Sequence, residues 1–432
     1  MANAREIAVS ALNEILDEGA YNNIVLKRIL NKYNNINHME RGLITELVNG
    51  TLRNMILIDY VIASYTKTPP KKAFINNLLR ISVYQLIFMD NIPDSAACNE
   101  AVKIAKGRGF KDLSSYINAV LRNIARNKEK LSLPKKDENI ISYLSVIYSH
   151  PQWLIEYWLG FLEEEQVETI CKANNLSPAV SICINTAKIT AAELESRLIK
   201  EGITVMPSDH RAAFKIKGAG AISNLESFKA GLYHVMDSGG MKAVDLIKPQ
   251  PKDSVLDLCA APGGKSFYAC TLMKNEGKIL SLDIHEHKLS LIAEGAKRQG
   301  FSIIDVGKND ASVYNAELED KFDKVILDAP CSGLGVLSKK PDARYKKTMA
   351  DIEELVKIQR SMLLASHKYP KIGGRLLYCT CTVSIKENEE NTAWFLQNFP
   401  YQLECDYKGQ NELSEQGDRF YAVSFIRNDF SQ

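Results

Sequence analysis

From about Tyr233 onward the chain repeats one pattern: a short apolar run, a tight turn, then a stretch with helical spacing. The runs are Val255-Leu256-Asp257-Leu258, Ile279-Leu280-Ser281-Leu282, a weaker Ile303–Val306, Val325-Ile326-Leu327 and Leu376-Leu377-Tyr378. Short continuous apolar runs suit strands buried on both faces, and their alternation with helices predicts a doubly wound, mostly parallel sheet. The last run is expected to follow a long helix over 351–369 and a turn at Gly373-Gly374. Such sheets place ligands outside the carboxyl ends of their strands, so the residues that follow each run decide the chemistry.

Two of these ends carry cysteine. Cys331 sits in Asp328-Ala329-Pro330-Cys331-Ser332-Gly333, and Cys381 in Tyr378-Cys379-Thr380-Cys381-Thr382. Two thiols delivered to one sheet edge beside an aspartate suggest covalent chemistry rather than packing. The chain's 9 cysteines are odd in number and scattered, which argues against a disulfide framework. Cys379 and Cys381 are the close pair, and no Cys-x-x-Cys or His-x-x-x-His partner completes a zinc set, so no metal is expected. Cys171, Cys183, Cys270 and Cys379 read as small buried hydrophobes.

With 432 residues the chain exceeds one ordinary core. It is 45% hydrophobic and 25% charged, the composition of a soluble globular protein. No apolar stretch approaches the roughly 18 residues of a membrane span, and Met1-Ala2-Asn3-Ala4-Arg5-Glu6 lacks the apolar core of a signal peptide. A cytoplasmic monomer with no membrane partner is the expectation.

Three domains are expected, over 1–137, 138–232 and 233–432. Residues 1–137 carry 20 Lys and Arg against 13 Asp and Glu, while the remainder has 34 against 39. A basic front on a chain of net charge +2 suits a polyanion partner. Apolar positions such as Ile7, Leu12, Ile15 and Leu16 recur at helical spacing. A helix from about Ser95 is expected to be capped by Asp94 or Ser95, with Lys103, Lys106, Arg108 and Lys111 clustered near its end. The middle segment holds a helix with Trp153, Ile155 and Trp158, a strand over Val180–Ile184 and a helix near Ala191–Lys200, a small α+β module.

The first strand of the last domain runs into Cys259-Ala260-Ala261-Pro262-Gly263-Gly264-Lys265. Small residues let the backbone approach a ligand, and the next helix offers N–H groups to an anion. This is not Gly-x-Gly-x-x-Gly, so one carboxylate fits better than a dinucleotide pyrophosphate. Asp283 ends the second strand, where ribose hydroxyls are read, and Asp310 follows the third, placed to face a base.

Leu256 to Lys265, with Asp328 to Gly333 and Thr380-Cys381-Thr382, resembles the Sun/Nop2/NSUN family of RNA cytosine-5 methyltransferases. Lys340-Pro341-Asp342 also resembles a family segment. In the front domain, Leu79-Arg80-Ile81-Ser82-Val83-Tyr84-Gln85-Leu86 and Asn118-Ala119-Val120-Leu121-Arg122 resemble a NusB-like helical RNA-binding domain. The combination implies a helical domain, a small α+β module and a Rossmann-like methyltransferase domain acting on small-subunit ribosomal RNA. It implies S-adenosylmethionine as cofactor, held by Cys259, Ala260, Ala261, Pro262, Gly263, Gly264, Lys265, Asp283, Asp310 and Asp328. This chain departs from the family pattern at Asn309, Thr382 and Arg419, where Gly, Ser and Gly are usual.

The implied reaction explains the need for two thiols. Carbon 5 of cytosine is a poor nucleophile, and a thiolate added at carbon 6 makes it enamine-like. A carboxyl at N3, which Asp328 fits by position, shares a proton and stabilises the adduct. Afterwards a base removes the hydrogen on carbon 5 so that the enzyme thiolate can leave. By resemblance Cys381 attacks and Cys331 assists release; the residues alone favour neither. The basic domain would grip phosphates through Arg80, Lys103, Lys106, Arg108 and Lys111, with binding that weakens steeply with salt. The same chemistry on transfer RNA or another ribosomal cytosine, and a non-catalytic assembly factor, remain open at this point.

Overall fold

In the computed structural model, residues 3–33, 36–66, 68, 70–409 and 418–429 are described, and they separate into two compact units. The first spans 1–176 together with 337–346; the second comprises 177–336 and 347–432.

Helical periodicity dominates the first unit. Its helices are α1 (Ala4–Leu16), α2 (Asn22–Lys32), α3 (His38–Arg53), α4 (Met55–Ser64), α5 (Ala73–Phe88), α6 (Asp94–Gly107), α7 (Ser114–Asn127), α8 (Ile140–Tyr148), α9 (Gln152–Leu159) and α10 (Glu164–Asn175). Asn3 caps α1 by accepting from Arg5 N, and Asn37 with Glu40 forms a capping box on α3. The apolar stripe Ile7, Leu12 and Ile15 of α1 packs into one core with Ile44, Leu47, Leu79 and Val83. The helix expected from Ser95 begins at Asp94, after Pro93, and has no side-chain cap; Asp94 instead sits in its first turn. Helix α8 packs against α4, and α9 and α10 pack against α8, so this compact unit extends to Leu176.

Segment 337–346 belongs to this helical unit although it lies between two strands of the second in sequence. Arg344 explains why. The carbonyls at a helix C-terminus lack intrahelical donors and carry negative partial charge. Helices α3, α8 and α10 all end around Arg344, which is fully buried. Its guanidinium donates to Ser149 O at 3.0 Å, Asn174 O at 3.1 Å and Asn175 Oδ1 at 2.8 Å, with longer bonds to Arg53 O and Tyr148 O. Tyr345 donates to Leu52 O, and Asp342 accepts from Asn22 N. Lys340-Pro341-Asp342, a motif with no evident job in the sequence, leads into this anchor.

The second unit holds two sheets. The smaller is antiparallel in the order β2-β3-β1-β4, built from β1 (Val180–Ile184), β2 (Thr204–Pro207), β3 (Ala213–Lys217) and β4 (Tyr233–Val235). The larger contains β5 (Ser254–Asp257), β6 (Lys278–Asp283), β7 (Ile304–Lys308), β8 (Phe322–Asp328), β9 (Pro370–Thr380), β10 (Tyr401–Lys408) and β11 (Tyr421–Arg427), in the order β10-β11-β9-β8-β5-β6-β7. β5 to β9 are parallel, and β10 and β11 run antiparallel at one edge. Cys183 and Ala213 of the small sheet share a core with Val244, Val255 and Phe267, and Asn185 donates to Gln299 O. The small sheet therefore lies in the same compact unit as the large one.

The long helix runs over Met349–Ser366, and Gly373-Gly374 lies inside β9 instead of in a turn before it. The ladder pairs Phe322 with Pro370 and then Lys324 with Arg375, so the glycines occupy an irregularity that absorbs the extra residues. No described helix is long and apolar enough to cross a membrane.

Candidate active site

Neighbouring parallel strands in register bring their carboxyl ends to one edge. β8 pairs with β9 so that Asp328 lies opposite Cys379. The chain then leaves both strands together: Ala329 N donates to Cys379 O, and Gly335 N to Cys381 O. Side chains 50 positions apart thereby meet, and Cys331 Sγ lies 3.4 Å from Cys381 Sγ. Gly335 is required for this crossing, because a Cβ there would stand 2.1 Å from Arg419 O and 2.9 Å from Cys381 O. Arg419, where the family pattern has glycine, is accommodated in the same place: its N–H donates to Gly335 O and its guanidinium reaches Gly409 O.

The electrostatics centre on Asp328. Lys265 Nζ is 2.5 Å from Asp328 Oδ2 and 5.1 Å from the Phe420 ring centroid. Burial opposes the charge on Lys265, but the Asp328 carboxylate outweighs it, and the ammonium's pKa is held above its ordinary value. Cys379 Sγ lies 3.6 Å from the other oxygen, Asp328 Oδ1. Burial, reinforced by the Asp328 charge, pushes the Cys379 thiol well above its ordinary range, so it stays protonated and donates. Cys379 is thus a buried thiol, as its sequence setting suggested, and also a donor to a site carboxylate. Nothing in the sequence separates those two roles. The Cys331 thiol is likewise raised well above its ordinary value, first by its hydrogen bond to Cys381 and then by burial. Either sulphur can be the donor in the thiol pair.

The loop after β5 forms a cradle. Helix Gly264–Leu272 begins at its end, with the first-turn N–H groups free of intrahelical partners. Gly263 has φ +108, and a Cβ there would strike the Phe267 ring at 2.3 Å. Asp283 accepts from Ala261 N at 3.3 Å and His285 N at 2.9 Å, which fixes its carboxylate against this loop. Asp310 accepts from Ser312 N and Oγ, and these bonds lower its pKa. Beside it, Asn309 Nδ2 is buried with no partner, a donor that a nucleobase nitrogen would satisfy. Asp257, fully buried, holds Ser266 Oγ at 2.7 Å, and burial pushes its carboxyl up to about 6. An anion cradle, a fixed acid at the second strand and an unpaired donor at the third fit an aminoacyl nucleoside such as S-adenosylmethionine.

The residues expected to grip phosphate divide into two groups. Arg80 is committed to Asp59 through two 2.8 Å bonds, and Arg108 pairs with Glu6. Lys103, Lys106 and Lys111 are exposed, with Lys103 3.5 Å from Glu100.

A doubly wound sheet with this cradle at the carboxyl end of its first parallel strand defines an S-adenosylmethionine-dependent methyltransferase of Rossmann-like fold. Residues 244–421 match the 16S rRNA methyltransferase RsmB/F family, residues 2–126 the NusB family, and residues 150–223 the ferredoxin-like domain of RsmF/B-like methyltransferases. The chain belongs to the RsmB/F family. It is 39% identical to the probable ribosomal RNA small subunit methyltransferase B of Bacillus subtilis, over 95% of this chain and 92% of that one. It is 30% identical to the ribosomal RNA small subunit methyltransferase B of Proteus mirabilis, over 97% of each. The crystal structure of PH0851 superposes with a TM-score of 0.80 at 27% identity, covering 99% of both chains. NSun6 from Pyrococcus horikoshii, solved with SFG, shares the fold with a TM-score of 0.57 at 21% identity, over 65% of this chain and 98% of that one.

Proposed function

We propose that this chain methylates carbon 5 of a cytosine in small-subunit ribosomal RNA through a covalent bond between Cys381 and the base. The observation that carries this reading is the thiol pair 3.4 Å apart beside the Asp328–Lys265 ion pair. The substrate follows the names of the relatives, which act on the small subunit. Bound S-adenosylmethionine supplies the methyl group.

Cys381, as a thiolate accepting from the Cys331 thiol, forms a bond to carbon 6 of the base. The ring electrons then build up toward carbon 5 as N3 takes a proton from water, and the Asp328 carboxylate accepts the resulting N3–H. That carboxylate is held by the Lys265 ammonium on Oδ2, and the Cys379 thiol donates to Oδ1. Carbon 5 takes the methyl group and still holds its hydrogen. With Cys381 bonded to carbon, Cys331 loses the neighbouring sulphur that chiefly holds its thiol protonated, and it gives its proton to water to become the thiolate base. It takes the proton from carbon 5, the released electron pair restores the C5–C6 double bond, and the C6–S bond breaks to return Cys381 as thiolate. Exposed Lys103, Lys106 and Lys111 are the phosphate contacts that the front unit offers without first breaking a bidentate pair of the Arg80–Asp59 kind.

The test is a pair of variants given S-adenosylmethionine and the ribosomal RNA. Cys381→Ala should abolish methylation, and Cys331→Ala should leave a protein–RNA complex that survives a denaturing gel. Methylation by Cys381→Ala would sink the assignment, and an adduct in that variant would reverse the two roles.

A further inference from the structure

One carboxylate the mechanism does not use lies directly behind the thiols. Glu387 is fully buried, and both of its oxygens are engaged. Oε1 accepts from Ser332 N at 2.8 Å and Gln359 Nε2 at 3.1 Å, and Oε2 accepts from Ser332 Oγ at 2.5 Å. Ser332 follows Cys331 in sequence. Its hydroxyl also lies 2.6 Å from Thr382 Oγ1, in the residue that follows Cys381, and Thr382 Oγ1 accepts from Leu334 N at 3.2 Å.

The protons in this chain run one way. Ser332 has a single hydroxyl proton, and Glu387 takes it. Thr382 must then donate its own proton to Ser332 Oγ, which leaves Thr382 Oγ1 free to accept from Leu334 N. An acceptor-only group has to stand at the head of such a chain, and a carboxylate is one. Burying a carboxylate carries a large desolvation penalty, so packing alone does not account for an acid at this position. The hydrogen bonds fix where the residues after both thiols sit.

We propose that Glu387 is a positioning residue for the release step: by holding Ser332 it places the Cys331 sulphur against carbon 5 of the bound base. The inference rests on the thiol roles given above. Glu387 holds the Cys331 loop directly, through the Ser332 N–H and hydroxyl. Its carboxylate meets the Thr382 hydroxyl through Ser332, while Cys381 has its own tethers in Gly335 N to Cys381 O and Asn388 Nδ2 to Thr382 O. Loss of the carboxylate therefore displaces the base that releases the product more than the thiolate that attacks.

Glu387→Gln keeps the volume but turns an N–H₂ toward Ser332 or Gln359, both of which already donate. Steady-state methylation should fall about tenfold or more, while the first turnover falls less than about threefold, a split that a general loss of structure would not produce. A gel-stable protein–RNA complex should accumulate, as with Cys331→Ala. Glu387→Gln should add nothing in a Cys331→Ala background, since both act on one step. If Glu387→Gln does not fold, Ser332→Ala, which removes only the hydroxyl, decides the matter by the same complex. The inference is overturned if Cys331→Ala traps the complex and the folded Glu387 or Ser332 variant does not. If Cys331→Ala itself traps none, the thiol roles fail first.

Discussion

Arg344→Met removes a guanidinium from the point where α3, α8 and α10 end. The lost bonds give the magnitude. Those to Ser149 O, Asn174 O and Asn175 Oδ1 are 3.1 Å or shorter, while those to Arg53 O and Tyr148 O are 3.3 Å and weaker. Hydrogen bonds from a charged donor contribute about 1.5 kcal/mol or more each, so the short ones come to roughly 4–5 kcal/mol. Relief from burying the charge offsets part of this, and the carbonyls left without donors add to the loss. The expected destabilisation of the helical unit is about 3–4 kcal/mol. Arg344→Lys, which keeps the charge but not the fork, should lose about half as much. The chain has 3 tryptophans, Trp153, Trp158 and Trp394. In a Trp394→Phe background the remaining two lie on α9 of this unit, and Trp158 is fully buried there. Urea titration followed by their fluorescence should show the midpoint fall by roughly 1–2 M for Arg344→Met. A fall of less than about 0.3 M would mean that water or neighbouring donors satisfy the helix ends and that Arg344 does not hold them.

His234 is buried, with Nδ1 at 2.9 Å from Gln299 Oε1, and burial pushes its pKa down to about 4. Its folded form thus stays neutral while the unfolded chain takes up a proton below about pH 6.5, so the stability this residue supports is lost as pH falls through that value. Between about pH 7 and 5.5 the loss is about 1 kcal/mol, and His234→Gln should remove that much of the pH dependence in denaturant titrations of the two proteins. Gly335→Ala should cut methylation by about tenfold or more, because the added Cβ would stand 2.1 Å from Arg419 O at the crossing that aligns the thiols. S-adenosylmethionine should still raise its melting temperature, and retained activity would show that the crossing relaxes without moving Cys381.

The five parallel strands of the large sheet were legible because each apolar run is encoded within a few consecutive residues, from Val255-Leu256 to Leu376-Leu377, whereas β10 and β11 were not anticipated. The cradle was legible for the same reason: Cys259 to Lys265 is one continuous segment. Helix Ala191–Lys200 fell where its period and its Thr190 capping box place it. Glu387 was not legible. It stands in Lys386-Glu387-Asn388-Glu389-Glu390, a run that reads as the solvated start of a helix. Only the pairing of β8 with β9 brings Ser332 over it. Arg344, among Lys339, Lys340, Lys346 and Lys347, reads equally as a surface charge.

Local composition determined which elements form and which chemical groups reach the sheet edge: two thiols, an aspartate and a small-residue loop. The sequence by itself carried that much because periodicity and turn chemistry act over neighbouring residues. It left open how closely the two thiols meet, where Cys379 points, and why segment 337–346 joins the helical unit. Those depend on burial and on hydrogen bonds between residues 50 to nearly 300 positions apart. The tertiary structure decided them by removing water, after which each buried proton and each helix-end carbonyl must find a partner within reach.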